Sequence, residues 1–208
     1  MRHDECRRDH QRGTGHSAGR GFAPGRRAPA PVGQITQIAD IEEIEHDRDT
    51  LRSVFGAFAT GITVVTASPD SPMGMTANSF TSVSLSPPLA LVCVDRKAAI
   101  HDAILAEGMF AVSVLSTEQE QVAKYFASHS RPRGEQEFAA VESEPGPCTG
   151  APVLSGALAW VECSLVAVHD GGDHSIFVGS VLDLGHGSGS EALLFHGGRF
   201  HRITSSAA

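Results

Sequence analysis

Ile62-Thr-Val-Val-Thr-Ala67, Met73-Gly-Met-Thr-Ala-Asn-Ser-Phe-Thr-Ser-Val-Ser-Leu85 and Leu89-Ala-Leu-Val-Cys-Val-Asp95 follow one another with only Pro69-Asp-Ser-Pro72 and Ser86-Pro-Pro88 between them. The first and third runs are rich in β-branched and apolar residues, and the breaks are turn chemistry. A parallel pair needs a crossover of a dozen residues or more, and no room for one exists here. These runs therefore predict neighbouring antiparallel strands.

The pattern extends outward in both directions. Leu51, Val54, Phe55 and Phe58 share one helical face, with Asp49 or Thr50 as cap and Gly61 as the stop. Ile100, Ala103 and Ile104 predict a helix over Ala98–Glu107, ended by Gly108, before a strand at Met109–Leu115. Ser116-Thr-Glu-Gln119 is a capping box opening a helix through Ala127. Residues 128–152 read as loop. Ala157–His169 and Ser175–Leu184 form a hairpin around Asp170-Gly-Gly-Asp173, and Ala192–His196 and Arg199–Ile203 another around Gly197-Gly198. About seven strands and about three helices without βαβ alternation indicate a mainly β protein with flanking helices, an antiparallel barrel.

Composition removes several classes. The chain has 208 residues, 41% hydrophobic and 19% charged, enough for one folded domain and a tail. A net charge of −8 argues against nucleic acid, and one Trp and one Tyr make no stacking platform. The longest apolar run, Leu89–Val94, is far short of the roughly 20 residues of a membrane helix. Residues 1–40 read as a disordered basic extension before a domain over 41–208. Met1 to Val32 carries seven Arg against Asp4, Glu5 and Asp9, with many Gly and little apolar content. Cys6 with His3, His10 and His16 matches no zinc spacing, so no metal is expected. No apolar secretory core follows the N-terminal charges, and Cys6, Cys93, Cys148 and Cys163 form no Cys-x-x-Cys motif. A reducing cytoplasm is the simplest assignment.

Four stretches can carry chemistry. Gly74–Ser84 is unusually small and polar for a strand, and offers neutral hydrogen bonds to a flat ligand. Val94-Asp-Arg-Lys97 ends a strand just before a helix, where Arg96, Lys97 and free N–H groups suit a phosphate. Asp170–Phe177 places His174 after a glycine turn, and Phe195–His201 puts two aromatics beside a cation. Taken alone, the first three stretches are better explained as a solvated edge strand, a solvated turn and a turn-end His, and the fourth equally as a packed hairpin. There is no Gly-x-Gly-x-x-Gly, Walker lysine, Gly-x-Ser-x-Gly or His-Glu-x-x-His, so an enzyme built this way leaves the hard chemistry to a cofactor.

In order along the chain, these stretches resemble the flavin reductase family, the reductase components of two-component flavin monooxygenases. The matching pieces are Phe58–Thr66, Gly74–Ser84 with Pro87–Leu89, Cys93–Arg96, Gly172–His174 with Gly179, and Leu193–Phe200. The resemblance implies an FMN-binding Greek-key split barrel, a homodimer, that passes hydride from nicotinamide C4 to N5 of FMN or FAD. It implies NADH or NADPH as donor, and a partner flavin-dependent monooxygenase receiving reduced flavin by diffusion. By the same carry-over, Thr76, Ala77, Asn78, Ser79, Val83, Ser84, Cys93, Val94, Asp95 and Lys97 contact flavin. His174 is the catalytic residue on the nicotinamide side, joined by Arg199 and Phe200. Two positions depart from the pattern. Lys97-Ala-Ala99 replaces the Ser or Thr often found there, with Lys97 as substitute, and Gln136-Glu-Phe138 replaces Asp-Lys/Arg-Phe. A flavin enzyme acting on another substrate, or a non-catalytic flavin-binding module, are the alternatives.

Overall fold

The computed structural model describes residues 46–203. The basic extension, its Cys6–histidine group and the boundary near residue 41 lie outside the described residues.

Helix α1 is Arg48–Gly56. Its cap is Asp47, whose carboxylate accepts the Thr50 N–H at 3.0 Å, earlier than expected. The helix also stops earlier: the Ala57 and Phe58 N–H groups turn to the Val54 and Phe55 carbonyls at 3.2 and 3.1 Å, and the Gly56 carbonyl accepts from Gly197 N–H at 2.8 Å. The anticipated apolar stripe exists, but no described residue covers it: Val54, Phe55 and Phe58 are 63%, 71% and 76% exposed.

Strands β1 (Thr60–Gly61), β2 (Thr63–Ala67), β3 (Met73–Ala77), β4 (Thr81–Leu85) and β5 (Pro88–Asp95) follow. The run expected as one strand over Met73–Leu85 is two. β3 pairs with β2 and β4 with β5, so Asn78-Ser-Phe80 carries the chain from one edge of the sheet to the other. Helix α2 (Ala99–Glu107) ends at Gly108, at φ +64°. β6 (Met109–Val114) precedes one 3₁₀ turn and helix α3 (Glu120–Ala127), opened by the capping box as expected. The region expected as loop contains a 3₁₀ turn, Gly134–Phe138, and the short pair β7 (Ser143–Pro145) and β8 (Pro152–Leu154). The long hairpin is β9 (Ala159–Gly171) with β10 (His174–His186), and the last is β11 (Leu193–His196) with β12 (Arg199–Arg202).

The large sheet has the order β3-β2-β6-β9-β10-β5-β4, antiparallel throughout. Its two ends, β3 and β4, are consecutive in the chain, which rolls the sheet into a barrel split between them. A three-stranded sheet, β1-β11-β12, stands beside it. On β5 burial alternates, with Ala90, Val92 and Val94 inward and Leu91, Cys93 and Asp95 turned the other way. The inward set packs with Val65, Phe110, Val112, Cys163 and Phe177, all at or near zero exposure. Each such aliphatic or aromatic side chain contributes about 1.5–3 kcal/mol by burial. Gly179 is required there, since a Cβ would sit 2.6 Å from Cys163 Cβ and 2.8 Å from the Phe110 ring. A second cluster, including Ile62, Val64, Leu115 and Phe126, binds α3 to the barrel.

Candidate functional site

Two clefts open off the stretch Met75–Thr81, one cationic and one neutral. The cationic cleft holds about 270 Å³ and is lined by Met75, Thr76, Asp95, Lys97, His129 and Arg133, among others. Asp95 accepts the Lys97 N–H at 2.7 Å, which turns the chain into α2. The helix cap, Ala98, offers no side-chain oxygen, so the first N–H groups of α2 keep no side-chain partner beside the cleft. The positive end of a helix with exposed Lys97, His129 and Arg133 suits a phosphate-bearing ligand.

Arg96 does not join Lys97 at this cleft as the sequence suggested. Its Nη2 donates to Asp170 Oδ1 at 2.8 Å and its Nε to the His174 carbonyl at 3.3 Å. Its main-chain N–H reaches the Asp173 carbonyl at 3.1 Å. Arg96 is thus committed to the turn that carries His174. Arg131 does line the cleft, although its side chain is spent on protein groups.

The neutral cleft holds about 580 Å³, with Phe58, Thr60, Asn78, Ser79, Phe80 and Thr81 in its wall. Thr60 Oγ1 is buried there without a hydrogen-bond partner among the described residues. An orphaned hydroxyl in a cleft wall suits the polar edge of a flat ligand. Thr60 was not singled out in the sequence. It belongs to the quoted Phe58–Thr66 piece, but β1 is only two residues long and shows no periodicity.

Several of the expected ligand groups also hold the fold together. The Thr76 hydroxyl donates to the Ala123 carbonyl at 2.7 Å, binding β3 to α3. Ser79 Oγ pairs with the main chain of Cys93. Ser84 Oγ accepts the Ser86 N–H at 3.2 Å. Ala77 and Val94 are buried, so they reach a ligand only through main-chain atoms. Val83 is exposed on β4, and burial pushes the Cys93 thiol above its ordinary value. Thr76, Asp95 and Lys97 meet in the first cleft, and Asn78 and Ser79 in the second.

His174 lies directly across from Asp95 in the β5–β10 register. Its Nδ1 is 2.7 Å from Asp173 Oδ1. The hydrogen bond from His174, then its charge, holds the Asp173 carboxyl below its ordinary value. Arg199 and Phe200 sit elsewhere, in the three-stranded sheet. Phe200 meets Phe195 edge-on at 5.4 Å, with Lys124 Nζ 5.7 Å from its centroid. Among the described residues no sheet, hydrogen bond or cleft brings them to the His174 turn.

The described residues thus form an antiparallel split barrel with a neutral polar cleft and a cleft of cationic lining at a helix start. The chain belongs to the flavin reductase family: the family pattern described as "Flavin reductase like domain" matches residues 55–204. An NADH-dependent FAD reductase of Streptomyces globisporus is 50% identical over 161 residues, 77% of this chain and 88% of that protein. The reductase subunit HsaB of a flavin-dependent monooxygenase from Rhodococcus jostii is 38% identical over 158 residues, 76% and 78% of the two chains. Among solved structures, an NADH:FAD oxidoreductase of Streptomyces globisporus, in complex with NAD and FAD fragments, superimposes with a TM-score of 0.73. It is 48% identical, covering 78% of this chain and 96% of that one.

Proposed function

We propose that this chain is an NADH-dependent flavin reductase that supplies reduced FMN or FAD to a partner flavin-dependent monooxygenase. The single observation that carries this is the juxtaposition of the two clefts, neutral beside Asn78 and cationic beside Lys97. The relatives' NADH dependence and their place beside a monooxygenase support the donor and the partner.

When bound, flavin accepts hydride at N5 from nicotinamide C4. The protein's own part is binding and orientation. Lys97, Arg133 and the first N–H groups of α2 hold phosphate. Asn78, Thr60 and Thr81 offer neutral hydrogen bonds to the ring edge, and Ser79 sets the strand that carries them. His174, steadied by Asp173 and by Arg96, faces the nicotinamide. No strong acid or base is needed for hydride transfer, and the cleft at Asn78 is lined by neutral residues. Reliance on neutral contacts at the ring keeps the flavin exchangeable, which suits release to a partner by diffusion.

A homodimer completes this reading. Among the described residues, the stripe at α1 and Val83 and Leu85 of β4 are large apolar side chains left exposed. Both borders of the neutral cleft, Phe58 and Thr81, lie on those elements or next to them.

NADH and NADPH oxidation followed at 340 nm, with and without added FMN, FAD or riboflavin, tests the function. Oxidation that requires added flavin and scales with it is the expected result. Flavin binding without oxidation of either nucleotide would leave a binding module instead.

A further inference from the structure

We propose that the buried Arg131–Glu137 ion pair is a positioning unit that sets the cationic wall of the phosphate cleft. The inference rests on reading that cleft as the seat of the flavin phosphate. After α3 the chain returns across β3, and His129, Ser130, Pro132 and Arg133 of this segment are exposed. Arg131 is the anchor, its side chain only 6% exposed against a Glu137 that is fully buried.

Arg131 Nε donates to Glu137 Oε1 at 2.8 Å, Nη1 to the Ser128 carbonyl at 2.6 Å, and Nη2 to the Gly74 carbonyl. Glu137 Oε1 also accepts the Gly74 N–H at 3.1 Å. Both main-chain groups of Gly74 are thereby taken by the two side chains, at an edge of the sheet where no further strand of the described residues stands. Met75 and Thr76, the next residues, are cleft wall, and so are His129 and Arg133 on the anchored segment. One pair therefore fixes the two walls relative to each other.

Stability alone is a poor reason to keep such a pair. Burying two charges is often no better than burying apolar groups of the same size. Here one carboxylate oxygen, Glu137 Oε2, is buried with no partner among the described residues. What the pair supplies is direction: a guanidinium fork reads a carboxylate and two carbonyls in one fixed orientation.

Riboflavin, which has the same ring and no phosphate, separates positioning from general support. In Glu137→Gln and Arg131→Lys, KM for FMN and FAD should rise about tenfold, the worth of one charge-assisted contact. KM for riboflavin and kcat at saturating flavin should stay within about twofold, since ring contacts are untouched. Either variant suffices if the other does not fold. Equal losses with all three flavins would overturn the proposal in favour of simple fold support. Lys97→Ala, assayed alongside, tests the cleft itself. If it raises KM for FMN while the pair variants do not, positioning fails and the cleft reading stands. If it too leaves FMN unaffected, the cleft reading falls and the positioning role with it.

Discussion

Ser79 Oγ lies 3.0 Å from both the amide nitrogen and the carbonyl oxygen of Cys93. Thr81 pairs with Leu91, so extending that register brings Ser79 opposite Cys93. One hydroxyl, donor and acceptor at once, stands in for a strand neighbour where β4 meets the split of the barrel. Ser79→Ala leaves two part-buried main-chain groups unpaired. The expected loss is about 1–3 kcal/mol in urea unfolding, together with weaker FMN binding by fluorescence quenching. Unchanged FMN affinity in a destabilised variant would separate this joint from the cleft.

Gly74 makes a sharper case. A Cβ there would lie 2.5 Å from Cε1 of Phe126, which is itself packed against Tyr125 and Phe138 at centroid distances of 5.1 Å. Two aromatic neighbours hold the ring against β3, while its other side borders the cationic cleft. Gly74→Ala should cost about 1–3 kcal/mol through overpacking. A thermal melt within a degree or so of the parent would mean that α3 shifts freely on β3.

What was legible in the sequence follows from period and punctuation. Ile100 and Ile104 marked the buried face of α2, Gln119 closed the capping box, and Gly197-Gly198 marked the last turn. The break at Asn78–Phe80 was invisible, because it is set by which sheet edges β3 and β4 join, a long-range choice. Lys97 and Asn78, both expected at a site from the sequence, line the two clefts. That the Thr76 and Ser84 hydroxyls bond neighbouring main chain was not legible, since a hydroxyl reads alike whether it serves a ligand or a neighbouring backbone. Glu137 was legible only as a change of local charge. Its burial depends on Arg131 and Gly74, the latter 63 residues away.

The open stripe on α1 yields a prediction about assembly. Phe55 and Phe58, each more than two-thirds exposed, expose apolar area that a second copy would cover. Phe58→Asp places a charge in that surface, whose burial costs several kcal/mol unless paired. Light scattering after size exclusion should show the parent as a dimer and the variant as a monomer. A monomeric parent would end the homodimer reading.

Cys163 gives an alkaline test of the core. Burial, then the nearby Glu162, pushes its thiol from 9.0 up to about 12. The folded state holds the proton more tightly than the unfolded chain, so this contribution is intact below about pH 9 and is lost as pH rises towards 12. Urea midpoints measured across that window should fall for the parent and fall less for Cys163→Ala, whatever the offset between them. Parallel slopes would show that Cys163 is not the group responsible. The same burial predicts that thiol reagents at neutral pH label Cys163 only after unfolding.

The turn holding His174 supplies the last test, and it separates electrostatics from geometry. Asp173 sits 2.7 Å from His174 Nδ1, and its carboxyl is held below 3.8, first by that hydrogen bond and then by the His174 charge. A depressed folded value means the charged carboxylate favours the folded turn above its ordinary value, and that the benefit fades only as pH falls through the folded value. Between about pH 6 and pH 8 Asp173 therefore stays charged, and its effect on His174 does not vary through its own titration. Asp173→Asn should raise KM for NADH a few-fold and leave KM for flavin unchanged. Asp170→Asn removes the anchor of Arg96 without touching the His174 ring, at a pair that is part-exposed and worth less than about 1 kcal/mol. It should reproduce the NADH effect more weakly. An effect on flavin KM as large as that on NADH, in either variant, would place His174 on the wrong side of the site.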